Sequence, residues 1–206
     1  MMEVRPVTLT GRHVSLEPLR QEHAAALWQF ADDPDIWRYL PYGAIDSQER
    51  LEQLVAELLR RQARGTDLCF TVLHLESQRP IGMTRYLQID RAHRNLEIGG
   101  TWYGRLFRRT AVNTECKYLL LRHAFEELGC VRVQFKADTR NVQSQRAIER
   151  LGAVREGVVR RHMILPDGFV RSSVLFSILD EEWPAVKQHL ESLLARYDAP
   201  NAPAHL

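Results

Sequence analysis

The stretch that decides the reading is Glu97-Ile-Gly-Gly-Thr-Trp-Tyr-Gly-Arg-Leu-Phe-Arg-Arg-Thr-Ala-Val-Asn-Thr-Glu115. Its first part belongs to a strand over Asn95–Tyr103, in which Leu96, Ile98 and Gly100 alternate with Glu97, Gly99 and Thr101. Paired glycines inside a strand predict a bulge, or a place where another backbone or a ligand comes close. An irregular basic loop follows, and then a helix that Asn113 or Thr114 would cap, running to Leu128 and closing at Gly129. A loop entering a helix offers unpaired backbone N–H groups and the positive end of the helix dipole. With Arg108 and Arg109 this is an anion site suited to a pyrophosphate, or else a plain connection with solvated arginines.

Downstream, Val131–Lys136 alternates cleanly and reads as a strand, followed by a turn over Asp138–Asn141 and a short helix from Gln143 to Gly152. Asn141 and Ser144 thus stand at the C-terminal end of a buried strand, where open α/β sheets bind ligands. The local alternative is an Asx turn at Asn141 with Ser144 capping the helix. Val154–Leu165 and Phe169–Leu179 form a hairpin around Pro166-Asp167-Gly168, and a last helix begins near Asp180 with Pro184 in its first turn. Upstream, His13–Leu19 reads as a strand and Gln21–Ala31 as a helix that Pro34 keeps from continuing. Asp46 with Glu49 predicts a capping box for a helix whose inner face is Leu51, Leu54, Val55, Leu58 and Leu59. Strands over Leu68–Leu75 and Ile81–Ile89 lead back to the opening stretch. The expected order is β-α-α-β-β-β-α-β-α-β-β-α. Parallel pairing across the two late βα units needs helical crossovers, which implies a mixed α/β sheet covered by helices.

The chain has 206 residues, 45% hydrophobic and 26% charged, enough for one domain with a core that needs no disulfide or metal. Residues 1–197 are read as that domain and 198–206, with its two prolines, as a flexible tail. A net charge of +2 argues against nucleic-acid binding, so an RNA- or ribosome-docking role through local basic pairs is disfavoured. The three cysteines, Cys69, Cys116 and Cys130, lack metal spacing and lie in apolar stretches, which reads as buried free thiols. Met1–Arg12 has no secretory h-region and no apolar run is of spanning length; a cytoplasmic protein with no membrane partner is the expectation.

Several motifs in this order resemble the GCN5-related N-acetyltransferases (GNAT family), in particular their RimJ/RimL-like branch of ribosomal-protein N-terminal acetyltransferases. They are the Glu-Ile-Gly strand, Thr110-Ala-Val-Asn-Thr-Glu-Cys-Lys117, His123-Ala-Phe-Glu-Glu-Leu-Gly129, Asn141-x-x-Ser144, Arg150-Leu-Gly152 and Val174-Leu-Phe-Ser-Ile178. The likeness spans about His13 to Leu194. It implies a splayed central sheet, transfer of an acetyl or similar acyl group from coenzyme A to a primary amine, acetyl-CoA as cosubstrate and no metal. Pantetheine would lie along the backbone of Ile98, Gly100 and Trp102, and the pyrophosphate on Arg108, Arg109, Thr110, Ala111, Val112, Asn113 and Thr114. Asn141 would bond the pantetheine arm, with Ser144 beside it. Three departures stand out. Leu106 stands where the family has Gln or Arg, Arg109 occupies the place of its first loop glycine, and Ile148 that of a tyrosine acid common in relatives.

Acyl transfer needs a base for the amine, donors for the oxyanion and a proton for the leaving thiolate. The resemblance makes Glu97 the candidate base through water, and Ser144 the candidate acid. Glu97 also reads as a solvent-facing residue of an alternating strand. His123 and His162 have no visible partner in sequence. Trp37, Tyr39 and Tyr42, in a proline-bounded loop, are the candidate acceptor contacts or else a plug over the core. The acceptor is expected to be a small amine or a peptide N-terminus, and the last helix suits a homodimer contact. A sensor that binds acyl-CoA without catalysis is the alternative function.

Overall fold

In a computed structural model, which describes residues 2–198, eight strands form one sheet. They are β1 (Leu9–Thr10), β2 (Val14–Pro18), β3 (Leu68–His74), β4 (Arg79–Asp90), β5 (Asn95–Tyr103), β6 (Arg132–Asp138), β7 (Val154–Ile164) and β8 (Val170–Leu179). Their spatial order is β1-β2-β3-β4-β5-β6-β8-β7. The helices are α1 (His23–Ala31), α2 (Pro34–Trp37), α3 (Gln48–Ala63), α4 (Ala111–Arg122), α5 (Val142–Glu149) and α6 (Trp183–Tyr197). Among the described residues parallel pairing occurs once, between β5 and β6, across the crossover that carries α4. The second parallel pair expected from the sequence does not form because β8 inserts between β6 and β7, antiparallel to both.

Strand alternation then divides the side chains between two cores. On one face Phe70, Tyr86, Ile98, Phe135 and Phe176 pack with Cys116 and Leu120 of α4 and Leu190 of α6. Each large side chain buried there is worth about 1.5–3 kcal/mol. On the other face Cys69, Met83 and Trp102 pack under Leu27 of α1, Trp37 of α2 and Leu51, Val55 and Leu58 of α3. The matching face of β6 and β8 belongs to neither core and is mostly polar: Gln134, Lys136, Asp138, Arg171, Ser173 and Ser177, with Leu175 opposite Lys136. The fold therefore leaves a polar floor beside the parallel strand pair.

Three elements escaped the sequence reading, one of them a 3₁₀ turn over Arg105–Phe107 inside the basic loop. The two residues of β1 are too few to show alternation, and α2 is a single turn capped by Asp33, with Pro34 at its start. Two expected caps are displaced. Ser47, not Asp46, caps α3 by accepting from the Arg50 amide, and Thr110, not Asn113 or Thr114, caps α4. α4 continues through a π-helical turn, His123–Glu127, to Gly129 at φ 66°. All three cysteines are buried and free, and burial pushes their thiols up to about 12, which makes them inert. Among the described residues no helix is long and apolar enough to cross a membrane. The tail read as flexible lies, past Asp198, outside the described residues.

Candidate functional site

β5 and β6 pair at only three positions, Asn95↔Arg132, Leu96↔Val133 and Glu97↔Gln134. Beyond them β5 runs to Tyr103 and β6 to Asp138 without pairing, so the sheet opens into a cleft. The partner strand on the far side explains the divergence. β4 pairs Arg85 with Gly99 and Met83 with Trp102, leaving Thr84 opposite both Gly100 and Thr101. This is the bulge that the paired glycines predict, and Gly100 takes φ 58°. A Cβ there would stand 2.7 Å from Tyr42 Oη and 2.8 Å from Arg85 Nε, so the position excludes side chains by both space and conformation. The edge of β5 from Ile98 to Tyr103 thus keeps backbone groups that the sheet does not use.

Glu97, the last paired residue, is buried. Its Oε2 lies 2.9 Å from Lys136 Nζ and accepts from Gln134 Nε2 at 3.1 Å. The Gln88 amide, in the orientation that satisfies both neighbours, donates to Glu97 and accepts from Lys136, each at 3.2 Å. Further along the floor, Ser173 Oγ lies 3.0 Å from His162 Nδ1 and accepts from Arg171 Nε at 3.0 Å. Arg140 binds Asp138 through two bonds, and with the nearby Arg171 it holds that carboxyl below its usual range against the opposing effect of burial. Burial, then Lys136 and then Arg171, lower the His162 pKa, so its ring is neutral near pH 7 with Nε2 unengaged by the described residues. Sequence reasoning found Glu97, set His162 aside for want of a partner, and missed Lys136, Ser173 and Arg171. The signal it could have used is the run of polar residues alternating with core residues in β6 and β8. The partner of His162 comes from the neighbouring strand, where a shifted β7 register and Arg161 at φ 49° carry the imidazole over Ser173.

At the mouth of the cleft lies the basic loop. Arg108 is tied inward, with Nη2 2.7 Å from Asp33 and Nε donating to the Tyr103 carbonyl at 3.3 Å. Arg109 is exposed and adopts φ 61°, the left-handed conformation in which glycine is at home. The loop therefore keeps the backbone turn of a glycine while carrying a cation. Thr110 Oγ1 accepts from the Val112 amide at 3.3 Å; Asn113 accepts from the Tyr103 hydroxyl at 3.3 Å. Thr114 accepts from Arg150 Nη2 at 2.6 Å, which fastens the first turns of α4 to the end of α5. Ala111 and Val112 are buried in the helix start.

Across the cleft, Asn141 is the N-cap of α5: its Oδ1 accepts from the Ser144 amide at 3.0 Å. Ser144 is therefore not the cap, and its hydroxyl makes no hydrogen bond to the described residues. Of the three aromatic residues, Trp37 and Tyr42 pack edge-on with ring centroids 6.3 Å apart, and Tyr39 stands away from them. Trp37 is a core residue, its Nε1 donating to the Ala31 carbonyl at 2.9 Å and its ring 5.3 Å from Trp102. Tyr42 places its hydroxyl beside Gly100, and the Tyr39 carbonyl accepts from Arg171 Nη1 at 3.0 Å. Ile98 and Trp102 point their side chains into the two cores and leave only backbone to the cleft.

The profile of the family described as "Acetyltransferase (GNAT) domain" matches residues 13–154. A candidate acetyltransferase from T. thermophilus is 41% identical, with a TM-score of 0.85 over 94% of this chain and 100% of its own. A curated Bacillus subtilis relative, a candidate ribosomal N-acetyltransferase, is 32% identical over 106 residues, 52% of this chain and 57% of the relative. Mycobacterium smegmatis RimJ, solved in complex with CoA-disulfide, shares the fold at a TM-score of 0.79 and 21% identity, covering 91% of this chain and 95% of its own.

Proposed function

Because the chain belongs to the GNAT acetyltransferase family and is an acyl-CoA-dependent N-acetyltransferase, we propose that acetyl-CoA enters the cleft between β5 and β6 and meets the amine over the polar floor. The observation that carries this reading is the three-residue parallel pairing that stops at Glu97, short of the Gly100 bulge. The pantetheine amides would take up the unused backbone groups of Ile98, Gly100 and Trp102, as an added strand does. The pyrophosphate would rest on the start of α4, from Thr110 to Thr114, with Arg109 as the available cation. Arg108, held by Asp33, shapes the loop rather than binding the ligand. Asn141 has its carbonyl occupied by the cap, so its amide N–H is the group free to donate to the pantetheine arm.

In the transfer, the amine nitrogen forms a bond to the thioester carbon, the C–S bond breaks, and the amine proton leaves as the sulfur gains one. Backbone N–H groups beside Gly100 polarise the carbonyl. Glu97 takes the amine proton through water, with Lys136 and Gln134 fixing its carboxylate. Ser144 donates to the departing thiolate, the role that Ile148 cannot fill. Tyr39, Tyr42 and His162 border the acceptor, a small primary amine or a protein N-terminus; the Bacillus subtilis relative is named as a ribosomal N-acetyltransferase.

Calorimetry with acetyl-CoA tests the cleft. Arg109→Glu is expected to weaken binding roughly threefold to tenfold at low ionic strength, an effect that salt suppresses. Equal affinities would remove Arg109 from the site. The base is tested by kcat/KM for the amine at saturating acetyl-CoA. Glu97→Gln should lower it by about 10²-fold while acetyl-CoA affinity holds. Full rate in Glu97→Gln with a comparable loss in His162→Gln would move the base to the imidazole.

A further inference from the structure

Lys117 projects from α4 into the back of the bulged strand and is buried, 6% exposed. A buried ammonium ordinarily has a carboxylate partner, because leaving its charge unpaired away from water is costly. Lys117 has none among the described residues. Its one hydrogen bond goes to Thr101 Oγ1 at 2.6 Å, and that oxygen lies 2.8 Å from Thr84 Oγ1. Thr101 and Thr84 are the two residues that the register slip throws together beside Gly100. The lysine therefore grips the bulge from behind, on the face opposite Tyr42 and Arg85. Gly100 needs no such anchor to reach its backbone angles, and a fully apolar contact would serve packing better than a buried charge.

We propose that Lys117 is a positioning residue for acyl transfer, its ammonium fixing Thr101 and lending positive charge to the bulged β5 backbone that faces the thioester carbonyl. This rests on the reading that the β5–β6 cleft receives acetyl-CoA. The charge acts from behind the strand. It strengthens the polarisation as negative charge grows on the oxygen, and it contributes little to binding of the neutral thioester. Lys117 touches neither substrate nor cosubstrate in this scheme.

Two consequences separate this role from packing. Burial lowers the Lys117 pKa to about 8, and among the described residues the ionisable group that acts on it electrostatically is the Cys116 thiol, itself pushed up to about 12. The lysine is thus charged at neutral pH and loses its proton as pH rises through about 8, so kcat should fall along an alkaline limb there. Folding also holds the pKa below the ordinary lysine value of 10.5. The protonated form is therefore disfavoured in the fold, and below pH 8 the protein carries that full cost.

The experiment compares wild type, Lys117→Met and Thr101→Val for kcat against pH at saturating substrates, for melting temperature, and for acetyl-CoA protection of the amides of residues 98–103 in hydrogen exchange. Lys117→Met is expected to melt no lower than wild type, to protect the same amides, to lose about tenfold in kcat and to lack the alkaline limb. A direct oxyanion donor would be worth more, since Lys117 acts one residue removed. Thr101→Val, which keeps the charge and removes its acceptor, should also lose rate, and Thr101→Ser should recover most of it; this pair decides the matter if Lys117→Met does not fold. Protection of residues 98–103 together with full rate and an intact limb in Lys117→Met overturns the role of Lys117 alone. Absence of protection by acetyl-CoA in wild type overturns the cleft reading, and Lys117's role with it.

Discussion

Ser144→Ala is expected to lower kcat and kcat/KM together by about 10²-fold while acetyl-CoA affinity and melting temperature hardly move. The stability half of this expectation follows from the caps. Had Ser144 been the N-cap of α5, removing its hydroxyl would cost about 1 kcal/mol. The cap is instead Asn141, whose Oδ1 accepts from the Ser144 amide, a bond that the alanine variant retains. The rate half follows from the hydroxyl being uncommitted in the first turn of α5, across the cleft from the bulge. A donor that engages only the developing thiolate lowers the barrier without tightening the ground state. Asn141→Ala supplies the contrast, because it should lose about 1 kcal/mol of stability and weaken acetyl-CoA binding as well. Steady-state kinetics with thermal melts on both variants decide the assignment. A Ser144→Ala enzyme at full speed would leave the thiolate without this acid.

The largest effect on stability is expected at Glu115. Its carboxylate accepts from three consecutive backbone amides, Arg12 at 2.8 Å, His13 at 2.7 Å and Val14 at 2.8 Å. Glu115 is buried, and a Cβ on Gly11 would come within 2.4 Å of its Cδ, so the chain wraps the carboxylate closely. Charge-assisted bonds of this kind are about twice as strong as neutral ones, and each donor left unsatisfied in the interior costs about 1–3 kcal/mol. Glu115→Ala should therefore destabilise the protein by about 3–5 kcal/mol, seen as a lower urea midpoint with an unchanged slope. Gly11→Ala should fail in the same direction through the clash. The loss is structural and has a functional address: Glu115 and Thr114 fix the start of α4, through β2 and Arg150 respectively, and that helix start is where the pyrophosphate would rest. A midpoint shift below about 1 kcal/mol would show that water replaces the carboxylate at little cost.

By itself the sequence determined the longer elements and the position of the bulge. Clean alternation in Val131–Lys136, the apolar spacing of Leu51, Val55 and Leu58, and the Gly99-Gly100 pair are local signals, and each appears in the structure as a strand, a helix and a bulge. Local rules also suffice to place a helix start after the basic loop, although Thr110 takes the cap from Asn113 because its hydroxyl reaches the Val112 amide. What tertiary structure alone decided is every pairing between residues distant in the chain. Arg108, read as a phosphate ligand, lies 2.7 Å from Asp33, a partner that α2 brings near. Trp37 reads as an acceptor contact until Trp102 closes over it. His162 is partnerless in sequence and finds Ser173 only because β7 shifts register against β8. Lys117 is only the last letter of a motif in sequence, and tertiary packing turns it inward onto Thr101. The physical reason is one of range. Backbone angles, caps and periodicity are settled within a few residues, whereas the charge a site presents depends on which strands lie side by side, and no local rule carries that information.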